Sequence, residues 1–446
     1  MRRMGVALWV VGAVGCGKDE ASGEAGTSAE SAATSAEETT VPAFDVSRPE
    51  QCAACHQAVV AEWESSLHRR AHTTRDPIFA AVHRVRSERE GAEAVAKNCA
   101  NCHSPAGDSP ELADLGVTCS TCHQTKAVDR SAGKMGFAAF VRTADNEIAG
   151  PHGKDIVAGA PHALAIAEPH VFDGSTLCLS CHEELKNKDN IASCSTGIEW
   201  RDGQPKEGEA CVDCHMPWVE GPSGVLSQAR TRHRSHAFIG PHAAIRMPDD
   251  PRMDLAKGAL GLEVVFEGDT LKVTLGNKSR HAWPTGFPGR FAVVSLVGYD
   301  GDDREVWRNF TDDPMRQHPD AVLNKVYLDG EGQPTLAPYA KTLARDSRLK
   351  TDETRVLEVV VPAEVKRVEA SVVSRLVAPP LAKMLGLGEF ILGPSASLVR
   401  DEVAAGGVDH RNGVSRDGGT GPCQACEASE LAELKPRVVQ RATARR

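Results

Sequence analysis

The chain has 446 residues, a formal net charge of −10 and 14 cysteines, whereas only 4% of its residues are aromatic. This length predicts more than one domain, and the acidic balance argues against nucleic acid as a partner. So many cysteines are unusual in a reducing compartment, and so few large side chains cannot fill the interior of a chain this long. The composition therefore predicts an exported protein whose interior is filled partly by something other than its own side chains.

The first 16 residues have the pattern of an export signal. Arg2 and Arg3 precede a short apolar stretch, residues 5–15, that is too short to span a bilayer. The stretch ends at Cys16 in a sequence that resembles a lipoprotein cleavage box, so we expect lipidation of Cys16. The alternative is an ordinary signal peptide with an incidental cysteine. Since no later stretch is long and apolar enough to span a membrane, this lipid would be the only anchor of a periplasmic lipoprotein.

Four segments follow the signal. Residues 17–43 are almost wholly small or polar and predict a flexible tether. Residues 44–250 predict a mainly α or irregular domain of short helices joined by loops. Residues 259–400 predict an all-β, sandwich-like domain, and residues 401–446 a loose tail. The β-rich runs are Leu262–Phe266, Leu271–Leu275, Phe291–Val297 and Val356–Val361.

Five copies of Cys-x-x-Cys-His lie in the first domain. Two thiols one helical turn apart can each form a thioether with a haem vinyl group, and the adjacent histidine then binds the iron. Structural zinc also uses paired cysteines but does not require a histidine directly after the second one. The motifs therefore predict five haem c groups, held by Cys52, Cys55 and His56; Cys99, Cys102 and His103; Cys119, Cys122 and His123; Cys178, Cys181 and His182; and Cys211, Cys214 and His215.

The second and third motifs are separated by a short linker. Cys99 and Cys119 lie twenty positions apart. We expect so short a linker to hold the second and third haems close together, with their rings stacked or nearly so.

A second set of histidines could close the sixth coordination position of each iron. His68 and His72 are four residues apart, which predicts one face of a helix that begins after Gln57. His162 precedes the fourth motif, and His236 and His242 follow the fifth. For each of them the alternative is an ordinary surface or core histidine.

The segments around these motifs resemble multihaem cytochromes of the c-552/4 type, a group that includes the tetrahaem electron acceptor of hydroxylamine oxidoreductase. The similarity covers residues 50–250. It rests on Trp63-Glu-Ser-Ser66-Leu-His68-Arg-Arg-Ala71, Gly116-Val-Thr-Cys119, Cys211-Val-Asp-Cys-His-Met-Pro217 and Ser235-His-Ala-Phe-Ile-Gly240. The resemblance implies that His68 is a distal ligand and that haem pairs stack.

The chain departs from the tetrahaem proteins in two places. It has five motifs where they have four, and Cys423-Gln-Ala-Cys426 is followed by Glu427 instead of histidine. This last pair is a decayed sixth haem site, a disulfide or a redox pair, and Cys194 has no explanation. The loop 277–286 resembles one in β-domains appended to such cytochromes, so His281 either reaches back to a haem or caps the loop.

Three functions fit these features. In the first, the chain is an electron carrier that exchanges electrons with redox partner proteins, which the absence of any Cys-x-x-Cys-Lys motif favours. In the second, one open haem acts on a small nitrogen or sulfur compound. The only tyrosines, Tyr299, Tyr327 and Tyr339, lie in the β region, which argues against a tyrosine-crosslinked haem. In the third, the β-sandwich recognises a partner. Since function must be argued from the site, we expect an electron carrier rather than an enzyme.

Overall fold

The computed structural model describes residues 44–107, 109–152, 160–172, 174–206, 209–227, 229–240, 255–388 and 437–446. The predictions for Cys16, the tether, His242, Cys423 and Cys426 lie outside these residues. The helices, α1 to α12, span Pro49–Ala53, Gln57–Glu64, Pro77–Glu90, Ala92–His103, Pro110–Ala113, Cys119–His123, Thr176–His182, Thr196–Asp202, Cys211–His215, Leu255–Ala259, Pro314–Gln317 and Pro379–Met384.

The strands, β1 to β15, span Thr125–Val128, Phe140–Arg142, Glu147–Ala149, Ala163–Ala165, Trp218–Glu220, Arg232–Arg234, Leu260–Glu267, Thr270–Asn277, Phe291–Tyr299, Glu305–Arg308, Val322–Leu328, Thr342–Asp346, Thr354–Val360, Arg367–Arg375 and Arg437–Arg445. The first part of the chain thus contains short helices and two-stranded ribbons, and the second part contains longer antiparallel strands. The helical secondary structure predicted for the first part and the β-rich secondary structure predicted for the second part are both present.

Helix α2 ends earlier than the sequence predicts. The hydroxyl of Ser65 donates to the carbonyl of Glu62 at 2.6 Å, and that of Ser66 donates to the carbonyl of Trp63 at 2.7 Å. These side chains take up carbonyls that would otherwise continue the helix. His68 and His72 therefore lie in turns after the helix, and their prediction on one helical face is wrong.

Two antiparallel sheets form the β part. One has the strand order β12-β11-β9-β14-β15, with β10 also paired to β9, and the other has the order β13-β8-β7. Strand β8 alternates between buried and half-buried residues, whereas β9 is buried along almost its whole length. Leu271, Val273 and Leu275 of β8 share one core with Val294 and Leu296 of β9. The two sheets therefore pack face to face around a common core, as in a sandwich.

The predicted loose tail is wrong for its final residues. Strand β15 pairs with β14 along its length, from Arg367 opposite Arg445 to Ser374 opposite Arg437. Its inward side chains Val439 and Ala444 are buried in the common core. Residues 401–436 lie outside the described part of the chain.

Residues 44–446 form one compact unit, so the domain boundary near residue 250 stays a prediction. Hydrogen bonds join the motif region directly to the sheets. Asn187 donates to the carbonyls of Ala337 and Ala340 at 3.0 and 2.8 Å, and the Tyr327 hydroxyl donates to the carbonyl of Ala192 at 2.9 Å. In the described residues no helix has the length and apolar character needed to cross a membrane.

Candidate functional site

The Cys-x-x-Cys-His motifs occupy helical turns. The second to fifth motifs end α4, α6, α7 and α9, and the first straddles the end of α1. Local hydrogen bonds fix two of these turns: Thr121 accepts from the backbone N–H of Thr118, and the carboxylate of Asp213 accepts from the N–H of Ala210. Residues three positions apart in a helical turn lie on the same face, so each motif is suited to present its two thiols together.

Three motif histidines use Nδ1 to bind a backbone carbonyl. His56 donates to Ser223 at 2.7 Å, His123 donates to Ala149 at 2.9 Å, and His215 donates to Ile239 at a shorter distance. A carbonyl can only accept, so the proton is on Nδ1 and the lone pair is on Nε2. This is the tautomer in which an imidazole binds a metal through Nε2.

Three of the motif histidines each face a second imidazole. The ring centroids are 6.3 Å apart for His182 and His68, 6.2 Å apart for His123 and His236, and 6.3 Å apart for His215 and His281. Two imidazoles that bind one metal ion from opposite sides, through bonds of about 2.0 Å, have their centroids about 6 Å apart. The structure therefore pairs three of the six predicted distal candidates with three different motifs.

The partner histidines come from distant parts of the chain. His236 follows strand β6, and its Nδ1 donates to the carbonyl of Arg234 at 2.9 Å. His281 lies in the loop between β8 and β9, and its Nδ1 donates to the carbonyl of Ala282 at 2.9 Å. The side chain of Asn277 donates to the carbonyl of His281 at 2.8 Å, which fixes the loop. The β part of the molecule therefore supplies an imidazole to the fifth motif.

The paired imidazoles are neutral at physiological pH. Burial lowers the pKa of His68 and of His236 to about 3, and neighbouring imidazoles contribute in the same direction. Burial also lowers the pKa values of His123, His182, His215 and His281. A neutral imidazole has the free lone pair that iron ligation needs.

The structure gives less support for iron ligation by the remaining distal candidates. His162 lies close enough to His56 for their charges to interact, and its buried Nδ1 has no hydrogen-bond partner. The ring of His72 is instead engaged by the hydroxyl of Thr74 at 2.9 Å. At the second motif, the ring packed on His103 is that of Phe79, parallel to it at 3.9 Å. In the described part of the chain no imidazole makes a ring contact with His103.

Thiol contacts join several of the motifs to one another. The thiol of Cys52 contacts that of Cys119, which joins the first motif to the third. Cys102 contacts Cys181, which joins the second motif to the fourth. Cys178 contacts Cys211, which joins the fourth motif to the fifth. Cys181 of the fourth motif interacts electrostatically with Cys102 of the second motif and with Cys122 of the third. The stacking of the second and third haems stays a prediction.

Two charged groups that the sequence did not single out lie beside the paired imidazoles. Glu62, buried in α2, accepts from the backbone N–H of His236 at 2.9 Å, and His233 lies 3.4 Å from the same carboxylate oxygen. Burial lowers the pKa of Arg290 to about 10; this guanidinium interacts electrostatically with His182, His215, His281 and Cys194. Burial raises the pKa of the Cys194 thiol, which remains unpaired. No sequence pattern marks either group.

These residues fit haem c. Each motif offers two free thiols and one imidazole, and three motifs have a second imidazole at a separation that suits bilateral ligation. The buried Nδ1 atoms of His103 and of His162 have no hydrogen-bond partner among the described residues. The thiols would attach the haems, and the motif histidines would bind the irons.

The comparisons with known proteins agree with this chemistry. Residues 51–124 match the family model described as cytochrome c554 and c-prime. The fold is similar to that of a pentahaem cytochrome c552 from Thermochromatium tepidum, with a TM-score of 0.66 and 21% sequence identity over 90% of this chain and 99% of that one. No curated protein matches the chain.

Paired thiols and a neutral imidazole, repeated along a chain of this fold, define a multihaem c-type cytochrome. The first three motifs lie in the segment that matches the cytochrome c554 and c-prime family model, and the fold resembles that of the pentahaem cytochrome c552.

Proposed function

We propose that the chain is a periplasmic electron carrier that holds five haem c groups. When bound, haem c gains and loses one electron at a time. The observation that carries the proposal is the set of three imidazole pairs, because an iron closed on both sides by imidazole has no open position for a substrate. The thiol contacts also join the motifs in two groups, the first with the third, and the fourth with the second and the fifth.

Mass spectrometry of the mature protein tests the haem count. All five motifs present free thiols in helical turns, so we expect the mass of five haem groups. A mass of four or fewer haem groups in fully matured material would contradict the proposal.

Export and anchoring are tested separately: Cys16→Ser should move the protein from membranes to the soluble periplasmic fraction.

The second candidate function is an oxidoreductase with one open haem. The observation in its favour is the second motif, where His103 packs against Phe79 and not against another imidazole. Electron paramagnetic resonance of the oxidised protein separates the two functions. A carrier gives low-spin signals from every iron, whereas an enzyme gives a high-spin signal that hydroxylamine or nitrite changes.

A further inference from the structure

The ribbon formed by β5 and β6 presents one uncovered face. Trp218 lies opposite Arg234, and Glu220 opposite Arg232. Between these pairs Val219 and His233 are buried, so the four flanking side chains lie on the other face. Trp218 is 46% exposed although it is one of only six tryptophans in the chain.

This face combines an aromatic ring with positive charge. The guanidinium of Arg232 lies 4.6 Å from the centre of the Trp218 ring, and that of Arg234 lies 4.5 Å from it. Arg232 is exposed and Arg230 is half-buried, and neither has a carboxylate partner in the described part of the chain. The segment 218–234 carries three arginines and one glutamate, on a chain whose net charge is −10. Its charge is therefore opposite in sign to that of the whole molecule.

The same face adjoins the fifth haem motif. Arg234 donates to the carboxylate of Asp213 at 2.7 Å, inside the motif, and to the carbonyls of Val212 and Met216 at 3.3 Å. Cys214 is the only exposed member of the ten motif cysteines. The fifth motif thus has the most exposed thiol, and the ribbon is packed directly on this motif.

We propose that the β5–β6 face is the docking surface for a redox protein with an acidic surface. This inference rests on the proposed function, since it places the exchange of electrons at the fifth site. Arg230 and Arg232 would attract the acidic partner, and Trp218 would supply an apolar contact, as tryptophan and arginine commonly do at the centres of protein interfaces. The exposed side chains of Val225 and Leu226, in the loop joining the two strands, extend the apolar part.

An acidic protein fits this surface better than an anionic membrane does. A membrane could also bind tryptophan and arginine, but it would gain nothing from the exposed fifth motif. A redox protein uses both features, because electron transfer requires a short path between the two cofactors. The membrane is nevertheless kept as an outcome of the test.

Stopped-flow reduction of the oxidised protein tests the proposal. Reduced plant-type ferredoxin, a small acidic protein with a potential of about −400 mV, serves as the probe. We expect Arg232→Glu to lower its second-order rate constant about tenfold at low ionic strength, because steering by charge is lost. The difference should disappear at about 1 M salt, where the screening length is about 3 Å. The cationic methyl viologen radical should reduce the variant at least as fast as the wild type.

The matched control is Arg304→Glu, an equal charge change at an arginine that is 75% exposed in the turn before β10. Equal ferredoxin rates for Arg232→Glu and Arg304→Glu would overturn the docking surface. Binding to phosphatidylglycerol vesicles that is lost in Arg232→Glu alone, with unchanged ferredoxin rates, would assign the face to a membrane instead. If neither reagent reduces the wild type, the proposed function itself fails.

Discussion

His281 is the residue whose position depends most on long-range structure. It belongs to a loop of the β part, yet its ring lies 6.3 Å from that of His215. The alternative weighed from the sequence, that it merely caps its loop, does not explain this approach. The loop is held instead by Asn277, whose side chain donates to the carbonyls of His281 and Lys350.

Replacement of His281 by alanine should leave one haem iron without its second imidazole ligand. The thioethers and the motif histidines remain, so we expect an unchanged haem mass and the conversion of one low-spin iron to high-spin. The potential of that haem should shift, since an axial ligand is a main determinant of haem potential. Electron paramagnetic resonance and a spectroelectrochemical titration measure both effects.

His318→Ala is the matched control, because His318 is also in the β part but contacts Asn309 and no motif histidine. A low-spin spectrum that is unchanged in His281→Ala would show that His281 is not a ligand.

The candidate ligands could be predicted from the sequence, but their pairing could not. His68, His236 and His281 were all singled out, and each faces a motif histidine in the structure. Which motif each one faces depends on folding between distant segments. His68 and His182, for example, are separated by two other motifs along the chain.

At the scale of elements, helix α8 is joined to the β part by a buried ion pair. Glu199 lies 2.8 Å from Arg348, and the two side chains are 12% and 10% exposed. The same carboxylate accepts from the hydroxyls of Ser195 and Thr285 at 2.6 Å. Thr285 belongs to the loop that carries His281, so this ion pair holds that loop against the motif region.

Glu199→Gln should destabilise the protein by about 3 kcal/mol at neutral pH, because it leaves the Arg348 charge buried with less compensation. Burial alone would raise the pKa of Glu199, but Arg348 and the two hydroxyls outweigh burial and lower it. A carboxylate with a lowered pKa contributes stability above its unfolded pKa of about 4.3, and this contribution is lost as pH falls through the folded value.

Urea denaturation at several pH values measures this effect. The difference between wild type and Glu199→Gln should be largest near pH 7 and should shrink as the pH falls below about 4. Glu358→Gln provides the control, since Glu358 is 64% exposed and lies 3.9 Å from Lys272. A loss of stability independent of pH would show that the charge of Glu199 is unimportant.

Helix ends were the least predictable elements. The four-residue separation of His68 and His72 indicated a helix through both. The structure ends α2 at Glu64, where two consecutive serines bond back to the helix. The strands were more predictable, because alternation along Thr270–Asn277 and the apolar run Phe291–Tyr299 are strong signals.

Over the whole molecule the buried apolar side chains are unevenly distributed. The largest core lies entirely within residues 260–444 and joins both sheets. The described part of the motif region contributes mostly isolated small residues, such as Ala127, Ala139 and Ala149. This agrees with the expectation from the few aromatic residues that haem supplies much of the interior there.

Protein made without haem attachment should therefore fold only in part. We expect limited proteolysis to degrade residues 44–250 and to spare fragments from residues 255–388, because the core of the two sheets contains no motif residue. Mass spectrometry of the digest identifies the fragments, and the haem-loaded protein is the control. Equal protection of both regions without haem would contradict this expectation.

Strand β15 was missed because its sequence is dominated by arginine and small residues. Val439 and Ala444 are buried in the core, and Val438 and Ala442 pack against it without the regular alternation that predicts a strand. Its pairing depends on β14, a partner more than sixty positions earlier, and such long-range contacts leave no local pattern.

The place of β15 beside β14 has a practical consequence for handling the protein. Removing residues 437–445 would uncover the hydrogen-bonding groups of Arg367–Arg375, a nine-residue edge with four fully or nearly fully buried apolar side chains. Open strand edges of this kind pair with other chains, and the protein then aggregates. Purification tags added after Arg446 need a linker, because Arg446 itself donates to the carbonyl of Val361 at 3.0 Å. Shortened versions for crystallisation should keep these last residues.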